Sequence, residues 1–272
     1  MTVKEIQLKI AAHVLDVCRR HGLKVWADWG TLLGAVREKG MIPWDDDIDL
    51  MMMREDYEKL IRLADTEFQH PFFLQSFHTE KNYYRGHAQV RYDGTAAILP
   101  DDIGQPFHQG IFVDVFVYDH IPDSLDCAAW KQSLRRARMA QKCLLTAQYG
   151  KGAKRLIAKA VCGVIGYKRL YRLYERQFTK WNGSETKRIS CPTYDWRQVE
   201  REAKERTWYE ETVILPFEDM EIPVPAGYDK VLTTLYGADY MTPRQAASGH
   251  GRVILDAERD YKEVLRTMKK GR

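Results

Sequence analysis

Cysteine is sparse in this chain, and its placement excludes more than it suggests. Cys18, Cys127, Cys143, Cys162 and Cys191 are scattered and odd in number. With no CxxC pair they signal neither a zinc site nor a disulfide framework, and a reducing cytoplasm is the expectation. No apolar run approaches the length that a membrane-spanning helix needs. The first residues, MTVKEIQLKI, are charged early and lack an apolar h-region, so no secretory signal is expected. There is no internal repeat and no low-complexity segment. The net charge of +4 is too small to argue for nucleic acid, and no nucleic-acid partner is expected.

What is present is a chain of 272 residues, 44% hydrophobic, long enough for one large domain carrying an insertion. Val3, Ile6, Ile10, Val14 and Val17 recur at helical spacing, with Gly22 as the stop, which predicts a helix over 3–22. A short strand is predicted at 23–26, and a short helix from Gly30 to about Lys39. Residues 47–53 read as a strand and 54–64 as an amphipathic helix. Further strands are expected at 72–77, 85–92 and 111–117, the last being the cleanest, with Asp114 as its one charge.

From 124 to 180 the pattern turns helical and acids almost vanish. Fourteen lysines and arginines between 131 and 180 face one acid, Glu175. The tail returns to mixed structure, with a hairpin at 215–225, a helix at 229–236 and a closing helix at 253–268. The division is therefore a core at 1–123, a basic helical insertion at 124–180, and a C-terminal part at 181–272 that completes the fold. The fold class is α/β (or α+β): a mixed sheet with flanking helices.

The chemistry concentrates in GMIPWDDDIDLMMMR, residues 40–54. Asp45, Asp46, Asp47 and Asp49 fall within five residues, between apolar neighbours. A solvated acidic turn has no need of Ile48, Leu50, Met51, Met52 and Met53 around it. Buried charges are costly unless paired, and a cation would pair these. On a strand, residues two apart share a face, so Asp47 and Asp49 should project together. Asp114, mid-strand among valines, is the candidate third acid. Oxygen-only donors suit a hard cation, Mg²⁺ or Mn²⁺. Upstream, Gly30 and Thr31 open a helix whose N–H groups suit phosphate. Phosphate at one end and metal at the other fit phosphoryl or nucleotidyl transfer.

At these residues the chain resembles the LicD family of the nucleotidyltransferase superfamily, which includes fukutin and fukutin-related protein. The resemblance rests on Gly30-Thr-Leu-Leu-Gly-Ala35, Ile42-Pro-Trp-Asp-Asp-Asp-Ile-Asp49, Phe112-Val-Asp-Val-Phe116, Tyr236-Gly-Ala-Asp-Tyr-Met-Thr-Pro243 and His250. Glu38 departs from it, since the family commonly carries His after Arg37. The resemblance implies a nucleotidyltransferase-like fold. It also implies metal-dependent transfer of an alcohol phosphate from a CDP-activated donor to a glycan hydroxyl. The alcohol would be choline in LicD proteins and ribitol in fukutin-like ones.

Asp47, Asp49 and Asp114 are then the catalytic and metal-holding set. Gly30, Thr31, Arg37, Arg91, Thr95 and His250 are candidates for substrate binding. Arg91 and Thr95 at a strand end either hold donor phosphate or belong to a surface salt bridge. Arg37 either faces the phosphates or is ordinary surface, and His250 is either a site residue or a plain loop residue. Trp29 and Trp44 either line a pocket, where a choline headgroup would suit them, or pack in the core. The basic block is a solvated face, an RNA-binding surface or a contact for an anionic membrane carrying a lipid-linked acceptor. The location expected is cytoplasmic, with peripheral contact on the inner membrane face. The rival readings are NMP transfer from an NTP, with the same metal site, and a non-catalytic glycan- or membrane-binding protein.

Overall fold

The computed structural model describes residues 1–245 and 253–270. His250 lies outside the described residues. Helix α1 (Val3–Arg20) starts in a capping box between Thr2 and Glu5 and buries Ile6, Ile10, Val14 and Val17. Gly22, with φ of +63°, turns the chain out of it. Then follow β1 (Trp26–Ala27), α2 (Trp29–Arg37), β2 (Asp49–Met53), α3 (Arg54–Arg62), α4 (Ala64–Glu67), β3 (Phe72–Gln75), β4 (Ala88–Tyr92), β5 (Ala96–Ile98) and β6 (Phe112–Ile121).

The strands order as β1-β2-β6-β4-β3, with β2 parallel to β6 and the other neighbours antiparallel. This is the mixed α/β architecture expected from the sequence. Strand β2 explains the run Leu50-Met51-Met52. All three side chains are fully buried, as befits a strand beside a parallel neighbour with both faces covered.

The basic segment forms three helices, α5 (Ala128–Tyr149), α6 (Gly152–Ile165) and α7 (Tyr167–Thr179). They enclose a cluster of their own around Trp130, Leu144, Cys162, Tyr174 and Phe178. Strands β7 (Arg188–Ser190) and β8 (Lys204–Glu205) extend the sheet from the far end of β6, with α8 (Pro192–Asp195) between them. A hairpin of β9 (Thr212–Phe217) and β10 (Met220–Pro225) precedes α9 (Tyr228–Tyr236).

Several boundaries differ from the sequence expectation. The segment 253–268 is not one closing helix. It is β11 (Ile254–Asp256) followed by α10 (Tyr261–Lys270). Asp256 accepts the amides of Glu258 and Arg259, which turns the chain, and β11 pairs with β5. Strands β5, β7 and β8 went unpredicted because two or three residues carry no readable period. Strand β2 begins at Asp49, so Asp47 precedes it, and β1 begins only at Trp26.

Glu175, the lone acid of the basic block, ties that block to the core. Arg54 gives two hydrogen bonds to Asp119, at 2.9 and 2.7 Å, and a third at 2.8 Å to Glu175. Asn182 donates to Asp119 as well, at 2.6 Å. Arg54 and Asp119 are almost fully buried. Removing one member of such a group strands the others. Arg54→Ala should therefore lower stability by roughly 3–5 kcal/mol in urea unfolding. A loss within the scatter of ordinary surface substitutions would show that the anchor is dispensable.

Candidate active site

Three strands set the site in one row. Asp49 of β2 lies opposite Asp114 of β6 across the parallel pair, and Gln89 of β4 lies opposite Asp114 on the other side. Asp47 joins them from the segment before β2. Ligand oxygens of Asp47, Asp49 and Asp114 all lie within 4.8 Å of one another, and Asp45, Asp46 and Asp47 form a second such group.

The local chain is pinned from both sides. The Thr31 hydroxyl, in α2, accepts the Asp49 amide at 2.8 Å, and the Asp28 amide donates to the Asp49 carbonyl at 3.0 Å. Gln7 of α1 donates to the Asp46 carbonyl at 2.7 Å. Gly30 sits under the Asp45 carboxylate, where a Cβ would come within 2.3 Å of an Asp45 oxygen. A glycine there lets the acidic loop close over the start of α2.

Burial, and after it the neighbouring carboxylates of Asp114, Asp45 and Asp46, pushes the Asp47 carboxyl up to about 8. Burial also raises the Asp49 carboxyl well above its usual range, followed by the charges of Asp47 and Asp114. Gln89 donates to Asp114 at 2.8 Å, and His87 Nε2 lies 3.1 Å from the same oxygen. The imidazole of His87 is pushed down by burial, against the pull of Asp114. Three carboxylates offering only oxygen, held this close at a cost in repulsion, fit a hard divalent cation.

Two cavities meet at this cluster. One, of about 560 Å³, contains Asp45, Asp46, Asp47, Asp49 and Asp114. Its walls include His87, Phe116, Tyr194 and Trp29, with Gln141 and Leu145 of the inserted α5. The other, of about 470 Å³, shares Trp29, Asp45 and Asp49 with the first. Trp44, Tyr236 and Tyr240 complete its aromatic lining, so Trp29 and Trp44 line a cavity and are not plain core. Arg37 also lines this second cavity, with Nε on Glu38 at 2.7 Å and Nη1 on the Tyr240 carbonyl at 3.2 Å.

Arg91 and Thr95 are not at either cavity, and neither belongs to a surface salt bridge. Arg91 is fully buried, bonded to Gln75 at 2.8 Å and to the Gly110 carbonyl at 2.7 Å. It also donates to Gln89 Oε1, so it steadies the residue that steadies Asp114. The Thr95 hydroxyl bridges the Tyr92 carbonyl and the Ile111 amide. Both positions were read at a strand end. They do lie there, Arg91 next to last in β4 and Thr95 just before β5, but the interior claims their polar groups.

Sequence reasoning missed His87 and Gln89. Their signal was present in Arg85-Gly-His87-Ala-Gln89-Val-Arg91, where polar residues alternate with small or apolar ones along a strand. It also missed the buried trio behind Asp49. Lys204 donates to Asp28 at 2.7 Å and to the Tyr118 hydroxyl at 2.6 Å, and Tyr118 donates to Asp28 at 2.5 Å. No local pattern could join residues so far apart in sequence.

A carboxyl raised from 3.8 to about 8 stays protonated in the fold at pH values where the unfolded chain is ionised. The contribution of Asp47 to metal-free stability is thus full below about pH 4 and declines as the pH rises towards about 8. Asp47→Asn should flatten that decline and raise the melting temperature of the metal-free protein near neutral pH by roughly 2–4 °C per kcal/mol of relieved repulsion. Thermal melts in EDTA across this range test it. A variant that loses stability with pH as steeply as the parent would contradict it.

Comparison with known proteins gives a family match and two kinds of relative. Residues 22–142 match the family model described as LicD/FKTN/FKRP, nucleotidyltransferase domain. A lipopolysaccharide cholinephosphotransferase LicD of Haemophilus influenzae is 24% identical over 248 residues, covering 89% of this chain and 92% of that protein. A ribitol 5-phosphate transferase FKRP of Homo sapiens is 39% identical over 57 residues, which are 21% of this chain and 12% of that protein.

Proposed function

We propose that this chain, whose residues 22–142 belong to the LicD family, is a metal-dependent phosphotransferase. It moves phosphocholine, or a related alcohol phosphate, from a CDP-activated donor to a hydroxyl of a cell-surface glycan. The observation that carries this reading is the meeting of two cavities at Asp45 and Asp49, beside Asp47 and Asp114. A transfer between two substrates needs both to reach one charged centre.

Asp47, Asp49 and Asp114 would hold Mg²⁺ or Mn²⁺, and the cation when bound would neutralise the donor's phosphate oxygens. Gln89 and His87 keep the Asp114 carboxylate turned into the cleft. Thr31 and Gly30 hold the acidic loop and strand β2 in register. Choline is favoured among the alcohols by the smaller cavity, where Trp29, Trp44, Tyr236 and Tyr240 stand beside Asp45. Aromatic faces and carboxylates attract a quaternary ammonium, whereas a neutral polyol gains little from either. The cholinephosphotransferase relative points the same way.

Product analysis tests the reading. CDP-choline with Mg²⁺ and a glycan acceptor should release CMP and leave choline phosphate on the glycan. Pyrophosphate release from an NTP would establish the rival nucleotidyl transfer instead. Asp47→Asn, Asp49→Asn and Asp114→Asn should each reduce turnover by at least about a hundredfold while the protein stays folded, because the amide keeps the shape and removes the charge. Near-full activity in Asp114→Asn, or its unfolding, would remove Asp114 from the set.

A lipid-borne acceptor fits the surface of α6. Among the described residues no helix is long and apolar enough to cross a membrane. Yet Leu156, Ile157 and Val164 are 69%, 64% and 88% exposed, on the side of α6 away from the packed Ala158 and Cys162. Lys151 and Lys154 precede them in the chain, Lys168 and Arg169 follow, and no acid occurs between Asp126 and Glu175. An apolar ridge within a basic field suits the headgroup boundary of an anionic leaflet. Binding to phosphatidylglycerol vesicles should weaken with salt and drop sharply in Ile157→Glu/Val164→Glu. Equal sedimentation of parent and double variant at low salt would reduce the ridge to ordinary surface.

A further inference from the structure

A third cavity, about 740 Å³, is larger than either of those at the acidic cluster. It lies between α6 and α7 of the insertion and the loop after β3, and it shares Tyr84 with the acidic cleft. Its charge is opposite to that of the cleft. Lys81, Arg155, Lys159 and Lys168 line it. Lys81, Lys159 and Lys168 make no ion pair among the described residues. The one acid in the lining, Glu80, is already engaged by the Gln75 side chain and the His108 amide.

Two further features give it the character of a built site. The first is aromatic. Tyr84 and Tyr167 stack with ring centroids 5.5 Å apart, and Phe77 lies beside them in the wall. The second is an unsatisfied acceptor. Gln148 is 8% exposed, and its amide donates to the Asn82 carbonyl at 2.6 Å. Its Oε1 has no partner among the described residues. A buried acceptor without a donor is costly, and a ligand hydroxyl would relieve it.

From these we infer that the cavity is the acceptor-glycan site, and that it takes an anionic saccharide, phosphorylated or otherwise acidic, whose hydroxyl reaches the acidic cleft past Tyr84. Sugar faces lie on the aromatic rings, the Gln148 oxygen accepts from a hydroxyl, and the lysines meet the anionic substituent. The volume is within the ordinary range for a ligand site. The opposite charges of the two cavities also assign the substrates. An anionic saccharide is repelled by the carboxylates and held by the lysines, so it enters with its neutral hydroxyl foremost. This inference rests on the phosphotransferase reading for the word acceptor, but not for the binding itself.

Calorimetric titration of the full chain with glucose 6-phosphate, glucose and CDP, without donor, tests it. Glucose 6-phosphate should bind more tightly than glucose. Lys159→Ala/Lys168→Ala should weaken glucose 6-phosphate by about tenfold or more. Arg135→Ala/Arg169→Ala, which removes two cations outside the cavity, should leave it within about twofold. Tyr167→Ala should weaken both sugars.

Equal loss in the two double variants would reduce the effect to general charge and overturn the assignment, as would no loss in either. If CDP and not the phosphosugar depends on Lys159 and Lys168, the cavity belongs to the donor and the assignment fails. Choline-phosphate transfer by the parent, measured separately, decides the proposed function. Transfer without lysine-dependent sugar binding sinks the cavity alone, and lysine-dependent binding without transfer sinks the function alone.

Discussion

Mutual repulsion among the carboxylates of one cleft is the constraint around which this protein is built. Asp47, Asp49 and Asp114 face each other within 4.8 Å, with Asp49 and Asp114 almost wholly buried. Such a cluster persists only if the surrounding structure holds it rigidly, since each acid would gain by moving away. Strands β2 and β6 hold two of the acids through their parallel register, and the apolar residues of both strands are buried in the core. Helix α2 holds the strand's first amide through Thr31. Behind Asp114 runs a chain of buried polar groups, Gln89, Arg91 and Gln75, each satisfied by the next. A core rigid enough to oppose this repulsion also keeps the donor set ready for a cation.

The insertion answers the acidic centre with the opposite charge. Its fourteen cations between 131 and 180 would repel one another in a compact lobe, and the lobe turns most of them outward. Its helices pack on their own aromatic and aliphatic cluster, while Glu175 locks onto Arg54 and Asp119 of the core. The lobe is therefore a wall of the site as well as an appendage. Gln141 and Leu145 reach the acidic cleft, and Arg155 and Lys159 line the larger cavity beside it. A negative centre, a basic cavity and a basic, partly apolar outer face form one electrostatic gradient from surface to reaction centre.

The sequence by itself determined the elements whose period is long or whose composition is extreme. The stripe of α1, the apolar β6 and the basic helices were all legible, because repeat length and residue type encode burial directly. The acids could be singled out because no solvated turn explains carboxylates set among methionines. Only the tertiary structure decided which distant groups share a space. The pairing of Asp49 with Asp114 depends on strand register, and Lys204 meets Asp28 because β8 is carried back beside the sheet through β7. Arg91 and Thr95 do lie at a strand end, but the packing around that end buries them and claims their polar groups for the interior. Short strands such as β5 and β11 exist only because each finds the other, so neither segment alone contains the reason for its conformation. Local pattern sets what a segment can bury. Long-range contact sets what it is buried against, and the site is made of the second.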